Sequence, residues 1–538
     1  MFMSRLSHRF IPARSSRGGA QRIVRWAAVF LAAAIFRLAA PFAAGAAVYY
    51  VDSAGGSDGN PGISQSAAWQ NIPGACPSGA QAPAGAGWTK IKAGDSIVLK
   101  AGSTFYAKVV IDGQWYESGT KDAPIAITCD PSWGSGAVTI DCSGQAVGRH
   151  DAALSVVGID YVQIDGGSPA GIVVQGSSAA GFRAAGVSEG QKAAGLVVRN
   201  ARLYGNGGPG VVLRSQDAFL LEDVEADGGG GPAGAGFSIG GQSNGCSNGT
   251  VRGCVAYGYG AKGPDSASPG GGAGFGCTDS TGVTYERCIA HDNGGRGFDA
   301  RSAGWPISTV TDRIIYLDCV AYGNGEGFRC SLDDVPGDAR FWYLNCISRN
   351  NGSGWTVCKG PTAYLYNCVS AKNANGLYLD TLAFSRQTVV TMKNTIIYDS
   401  AAYAVWAHDC RSIRYYADYN LYDAGSGGGT LVRWYDAPDG DKRFKEYAFD
   451  GRPGMADWQD DCGRDAHSRD SGNGKFAAFA DPDKDDYSLL PTSDARGAGA
   501  DLTGEWPAGV PSTDMRGRPR QTGAWDIGAI EYAEGTGG

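Results

Sequence analysis

The chain has 538 residues, of which 84 are Gly, 43% are hydrophobic and only 19% are charged. Such a composition buries a large core yet turns often, which excludes a disordered chain and a helical bundle; with no collagen-like glycine period it points to many short strands joined by tight turns. The formal net charge of −8 falls to −15 once the seven arginines of residues 1–46 are set aside, a balance that repels nucleic acid and anionic membrane. It also repels a polyanionic glycan, unless local arginines, lysines or a bound cation reverse the sign at the site.

Residues 1–46 hold those arginines, no acid, the apolar run WAAVFLAAAIF and the small-residue stretch Ala44-Gly45-Ala46. The run is too short to span a bilayer, so the segment reads as a cleavable export signal outside the fold. A secreted, periplasmic or cell-surface protein with no stable membrane span is expected, and monomeric.

From residue 199 onward the chain repeats itself. RNARLYGNGGPGVVL (199–213), RCIAHDNGGRGFDA (287–300), DCVAYGNGEGFRC (318–330), NCISRNNGSGWTV (345–357), NCVSAKNANGLYL (367–379) and NTIIYDSAAYAVWA (394–407) align, and GCVAYGYGAKG from 253 is a degenerate copy. Cys288, Cys319, Cys346 and Cys368 each lie five residues before Asn293, Asn324, Asn351 and Asn373. The intervals from Cys254 through these cysteines to Thr395 are 34, 31, 27, 22 and 27 residues, as expected of solenoid coils with a constant core and variable loops. Each coil reads as one strand (IIYLDCVAY), an Asn-Gly turn and a second short strand (GFRC). Stacked in parallel, such coils form ladders of like residues, with Cys and aliphatics inside and Asn at a left-handed turn. The predicted fold is all-β, a right-handed parallel β-helix. Its expected organisation is an N-terminal cap and first coils over 47–145, helix coils over 146–430, and an insertion with a C-terminal cap over 431–538.

Fourteen cysteines in an exported chain suggest disulfides. The repeated ones occupy one equivalent position per coil and read instead as a buried unpaired ladder. Cys129 with Cys142, and Cys410 with Cys462, are the expected bridges. DPDKDDY (481–487) lacks the Gly and closing Glu of an EF-hand loop and reads as a solvated acidic turn.

Period-two alternation in the second strand sends the residue after each large apolar one outward, building one exposed column: Ser238, Gly276, Asp299, Arg329, Thr356, Tyr378, Trp406. Variable loops leave just after it, so the column should floor a groove suited to an extended polymer. Trp305, Tyr378 and Trp406 are placed to stack on sugar faces, and Arg301, Lys359 and Arg386 to bind acid groups.

The segments VYYVDSAGGSDGNPG (48–62), AGDSIVLKAGSTFY (93–106) and GAWDIGAIEY (523–532) resemble the two ends of secreted β-helix proteins. Phe298-Asp299 followed one coil later by Gly327-Phe328-Arg329 resembles polysaccharide lyase family nine of the pectate-lyase-like superfamily. That resemblance implies a uronate polymer as substrate and cleavage by β-elimination. It also implies calcium held by aspartates, Asp299 matching the last of them, and a base at Arg329, where the family has Lys. Gly295 and Arg296 stand where the family's paired aspartates are expected, and Arg296 would compete with calcium. The expectation is that Arg329 is base or carboxylate anchor and that Asp299 orients a cation or Arg329.

A bland alternative is a surface ion pair between Asp299 and Arg329 on adjacent rungs. A glycosidase would draw its two carboxylates from Asp299, Asp333, Asp334 and Asp338. A third reading is a secreted glycan-binding or scaffold β-helix without catalysis. His291 and His408 read as surface residues.

Overall fold

The computed structural model describes residues 45–76, 86–145, 147, 151–168, 171–186, 191–229, 234–241, 245–260, 272–303, 311–333, 338–380, 387–408, 412–426, 428–435, 444–449, 453–505 and 510–533. The expected export signal lies almost wholly outside them, and a compact unit runs from Ala47 to Gly538. Among the described residues no helix is long and apolar enough to cross a membrane.

The coil from 314 shows how the repeat folds. Strand Ile314–Leu317 is followed by Asp318 at φ 56°, Cys319 and strand Val320–Tyr322; then come Gly323 at φ 65°, Asn324 and strand Glu326–Asp333. The stretch IIYLDCVAY, expected as one strand, is therefore two, bent at Asp318. Arg287, Asn345, Asn367 and Asn394 bend the neighbouring coils at the same place with φ of 53–55°. Asp and Asn serve there because a short polar side chain relieves the left-handed backbone's steric cost. Each coil thus has three strands, and each strand pairs in parallel with its counterpart one coil on: 314–317 with 340–344, 320–322 with 347–349, and 326–333 with 353–358. The chain is a parallel β-helix.

Two ladders hold the corners. Cys254, Cys288, Cys319, Cys346 and Cys368 are fully buried and unpaired, as expected. Each follows a left-handed residue, and its thiol donates to a carbonyl of the coil before, as from Cys319 to Tyr285 O at 3.4 Å and from Cys346 to Tyr316 O at 3.4 Å. The Asn ladder differs from expectation. Asp292, Gly323, Asn350 and Lys372 take the left-handed backbone, while the following Asn293, Asn324, Asn351 and Asn373 turn inward and are buried. Asn351 Nδ2 donates to Ala321 O at 3.0 Å, and its Oδ1 accepts from the backbone N–H of Asn324 at 2.8 Å. The next Asn repeats the pattern.

The expected disulfides fail. Cys129, Cys142 and Cys462 are all unpaired, and Cys410 lies outside the described residues. Cys142 sits in the core with its thiol on Ala107 O at 3.4 Å, behaving as a small apolar residue like the ladder cysteines.

Inside, Phe237, Phe275, Phe298, Phe328 and Trp355 stack with ring centroids 4.6–5.3 Å apart. That interval is the strand spacing of about 4.8 Å, so one aromatic per rung makes a continuous column. Helix Met455–Cys462 closes the far end through buried Met455 and Trp458. The C-terminal segment does more than cap: it runs back along the outer faces of the first two strands. Phe479, Ile527 and Ile530 cover Ile347, Val369 and Ile396, while Leu502 and Trp525 cover Trp342 and Tyr366. Acidic turn 481–487 pins it there through Asp483 to Lys372 and Asp485 to Arg349, and Asp486 pairs within the segment to Arg516. The third-strand face of the solenoid carries the variable loops.

Candidate functional site

The third strands present their outward column in register. Ser155, Arg183, Val212, Ser238, Gly276, Asp299, Arg329, Thr356, Tyr378, Trp406 and Arg433 are successive Cα partners. Every member expected from the sequence is in it, extended by Ser155, Arg183 and Val212 at one end and by Arg433 at the other. Two positions further along the strands runs a second outward column: Arg214, Gly240, Thr278, Arg301, Ser331, Cys358 and Asp380.

Asp299 and Arg329 are direct neighbours across adjacent rungs. The ion pairs, however, run along the strand. Asp299 Oδ2 lies 3.3 Å from Arg296 and 3.7 Å from Arg301, while Arg329 lies 3.7 Å from Glu326. Arg296 also reaches Glu326 at 3.4 Å. An alternating strand puts residues 296, 299 and 301 on one surface here because Gly297 lets the chain enter the strand tightly: a Cβ there would lie 2.6 Å from Gly327 O. The result is a cluster of three guanidiniums around two carboxylates. Asp299 is 3% exposed at its side chain, and its Oδ1 has no hydrogen-bond partner among the described residues. Further along, Tyr378 donates to Asp380 at 3.3 Å, and burial together with that carboxylate pushes the phenol's pKa up. His408 Nδ1 stands 3.8 Å from Asp380, and Trp406 stacks at a tilt on Tyr378 at 4.8 Å.

The structure brings together Asp299, Arg329 and Arg301, and separately Tyr378 and Trp406, on the same face. Lys359 sits at the end of its third strand with φ 64° and donates its N–H to Asp380 O at 3.1 Å. Trp305, Arg386 and Asp334 lie outside the described residues. His291 is elsewhere, stacked between Tyr257 and Tyr322 on the second-strand face.

Calcium does not fit here. Its sites need several oxygen ligands, and Asp299 offers one carboxylate already flanked by Arg296 and Arg301, whose charges repel a cation. Among the described residues no three His, Cys, Asp or Glu side chains converge on one point. Of the four carboxylates expected for a glycosidase, Asp299 is buried and Asp338 exposed, while the Asp333 side chain and Asp334 lie outside what the structure describes.

Sequence reasoning passed over Arg183 and Arg214. The signal was present: Gly181-Phe182-Arg183 repeats the tripeptide Gly327-Phe328-Arg329.

A protein-family description, "Right handed beta helix region", matches residues 151–334. The chain is thus a right-handed parallel β-helix. No curated protein matches it. Among solved structures it is similar in fold to the pectate lyase Pel9A, with 16% identity and TM-score 0.46 over 90% of this chain and 96% of that one. It is also similar to the A-module of the Azotobacter vinelandii mannuronan C-5 epimerase AlgE6, with 15% identity and TM-score 0.44 over 70% and 90%. The GH136 lacto-N-biosidase from Eubacterium ramulus follows with 10% identity and TM-score 0.40 over 72% and 65%.

Proposed function

We propose that the third-strand face binds an acidic polysaccharide lengthwise, and that the chemistry it is arranged for is β-elimination on a uronate polymer. One observation carries this reading: Arg296, Arg301 and Arg329 crowd onto one patch of that face in a chain whose formal charge is −8. The local sign is reversed where a polymer would lie. In the reaction a base removes the proton beside the carboxylate, the C4–O bond breaks, and a C4=C5 double bond forms as the leaving oxygen takes up a proton. Guanidiniums on the carboxylate lower the cost of the enolate-like intermediate. Arg329 fits the role of carboxylate anchor better than that of base, since Glu326 at 3.7 Å favours its charged form. The same contact favours a second reading, acidic-glycan binding without turnover.

Incubation with polygalacturonate, alginate and a neutral glucan, with and without calcium, separates the two. Ultraviolet absorbance of the unsaturated product, lost in Arg329→Gln and indifferent to calcium chelation, supports the lyase. Retention on immobilised uronate polymer without absorbance supports the binder. Retention on neither acidic polymer refutes both.

A further inference from the structure

A second pair of arginines, Arg183 and Arg214, lies on the same face, Arg183 five rungs from Arg329. Arg183 occupies the outward column between Ser155 and Val212. It is half-buried, and no hydrogen bond or ion pair joins it to any described residue; the acid that acts on it, Asp151, is already paired with Lys108. Arg214 stands on the next rung. It donates to Leu213 O at 2.9 Å and to Ser238 O and Oγ at 3.0 Å each, lies over Gly241, and meets no carboxylate among the described residues. Burial lowers the pKa of both guanidiniums, and the charge of Arg183 lowers that of Arg214 further.

Several arginines elsewhere on the solenoid are matched by acids. Arg199 and Arg252 share Glu222, Arg252 also reaches Glu286, Arg340 has Asp312 and Arg349 has Asp485. Two neighbouring cations partly withdrawn from water, with no carboxylate bonded to either among the described residues, raise the free energy of the empty protein, and an anion placed between them relieves it. The Ser238 hydroxyl, aligned by Arg214, adds a polar group at the same spot.

We infer that Arg183 and Arg214 form a distal subsite for the carboxylate or sulfate of an acidic sugar, on a glycan that also engages the Arg329 cluster. This rests on the acidic-polysaccharide reading above. Five steps of parallel pairing separate the rung of Arg183 from that of Arg329, a run of about 24 Å. A pyranose in an extended glycan advances by about one rung, so a chain that places acid groups on both Arg183 and Arg329 needs six or more sugars. The groove would thereby select long acidic chains over short ones.

Titration calorimetry on the full chain tests this with three probes: inorganic sulfate, a galacturonate trimer and a galacturonate hexamer. The variants are Arg183→Gln, which breaks no described contact, the pair Arg183→Gln/Arg214→Gln, and Arg329→Gln for comparison. In the double variant sulfate affinity and hexamer affinity should each fall at least about tenfold, the scale of a lost charge-assisted contact. Trimer affinity should hold, and should fall only with Arg329→Gln. A sulfated hexamer that outcompetes the galacturonate hexamer in the wild type, but not in the double variant, would assign the subsite to sulfate over carboxylate. Unchanged sulfate and hexamer affinities in both Arg183 variants overturn the inference. Loss of sulfate binding in a protein that binds no acidic oligomer upholds the subsite and refutes the polysaccharide reading instead.

Discussion

The buried asparagine ladder is the device on which the stacking of the third strands depends, and Asn351→Ala measures its strength. In the native coil Asn351 Nδ2 donates to Ala321 O at 3.0 Å and to Ser348 Oγ at 3.0 Å, and its Oδ1 accepts from Asn324 N at 2.8 Å and Asn324 Nδ2 at 3.1 Å. Truncation leaves the buried Asn324 N–H without an acceptor and removes a donor from Ala321 O. Ser348 Oγ keeps Gly354 O, and Asn324 Nδ2 keeps Ala290 O, so those two groups are spared. Two buried orphans at about 1–3 kcal/mol each, plus a small cavity, give a loss of about 3–5 kcal/mol. Asn206→Ala is the control: that residue is half-buried at the ladder's start and bonded to Ser177 N and Val174 O, so about 1 kcal/mol is expected. Guanidinium unfolding followed by tryptophan fluorescence should show the Asn351 variant's midpoint displaced several times further than the Asn206 variant's. Equal displacements would refute the claim that buried amide stacking, rather than apolar packing alone, fixes the rungs.

Three further outcomes follow from the same geometry. Burial, with Glu286 nearby, raises Asp318 to about 6 despite the bond from Asn345. The folded state therefore binds this proton more tightly than the unfolded chain. Stability gained from the group grows as pH falls from about 7 toward 4 and is absent above its folded pKa. Asp318→Asn, which keeps the left-handed backbone and the bond from Asn345, should remove that slope and add about 2–3 kcal/mol at pH 7, read from urea midpoints across pH. Arg520→Ala should cost about 3–5 kcal/mol in unfolding by leaving Glu531 buried and unpaired, and should expose the C-terminal segment to limited proteolysis. The ladder thiols should resist a disulfide-exchange reagent until the chain unfolds, since burial pushes Cys288, Cys319 and Cys346 well above the ordinary thiol range. Rapid native-state labelling of those positions would contradict their placement.

Much of the solenoid was legible because its determinants are local and repeated. A Cys, then an Asn five residues on, then Gly-Phe and a loop recur often enough that stacking is the only economical packing, and the alternation after Phe298 and Phe328 places Asp299 beside Arg329. What escaped notice depends on distant sequence or on backbone detail. The bend at Asp318 divides an apolar run that alternation alone reads as one strand. The return of the chain end over Ile347 and Trp342 joins residues more than 130 positions apart, which no local pattern encodes. At the site, charge partners were the part least visible: proximity across rungs suggested an Asp299–Arg329 pair, whereas side-chain reach along the strand gave Asp299 to Arg296 and Arg301.

The arrangement of charge explains why those arginines matter more than their number. On the first-strand face Arg199 and Arg252 interleave with Glu222 and Glu286 into a neutralised surface ladder. On the third-strand face Asp299 is almost wholly buried beside Arg296 and Arg301. A buried carboxylate holds arginines in place while showing little of its own charge to a ligand. That arrangement favours a rigid anion-binding stripe over a cation site. It also makes Asp299 a positioning residue: neutralising it should loosen Arg296 and Arg301 rather than create a better anion site, and Asp299→Asn should therefore weaken, not strengthen, retention on a uronate polymer.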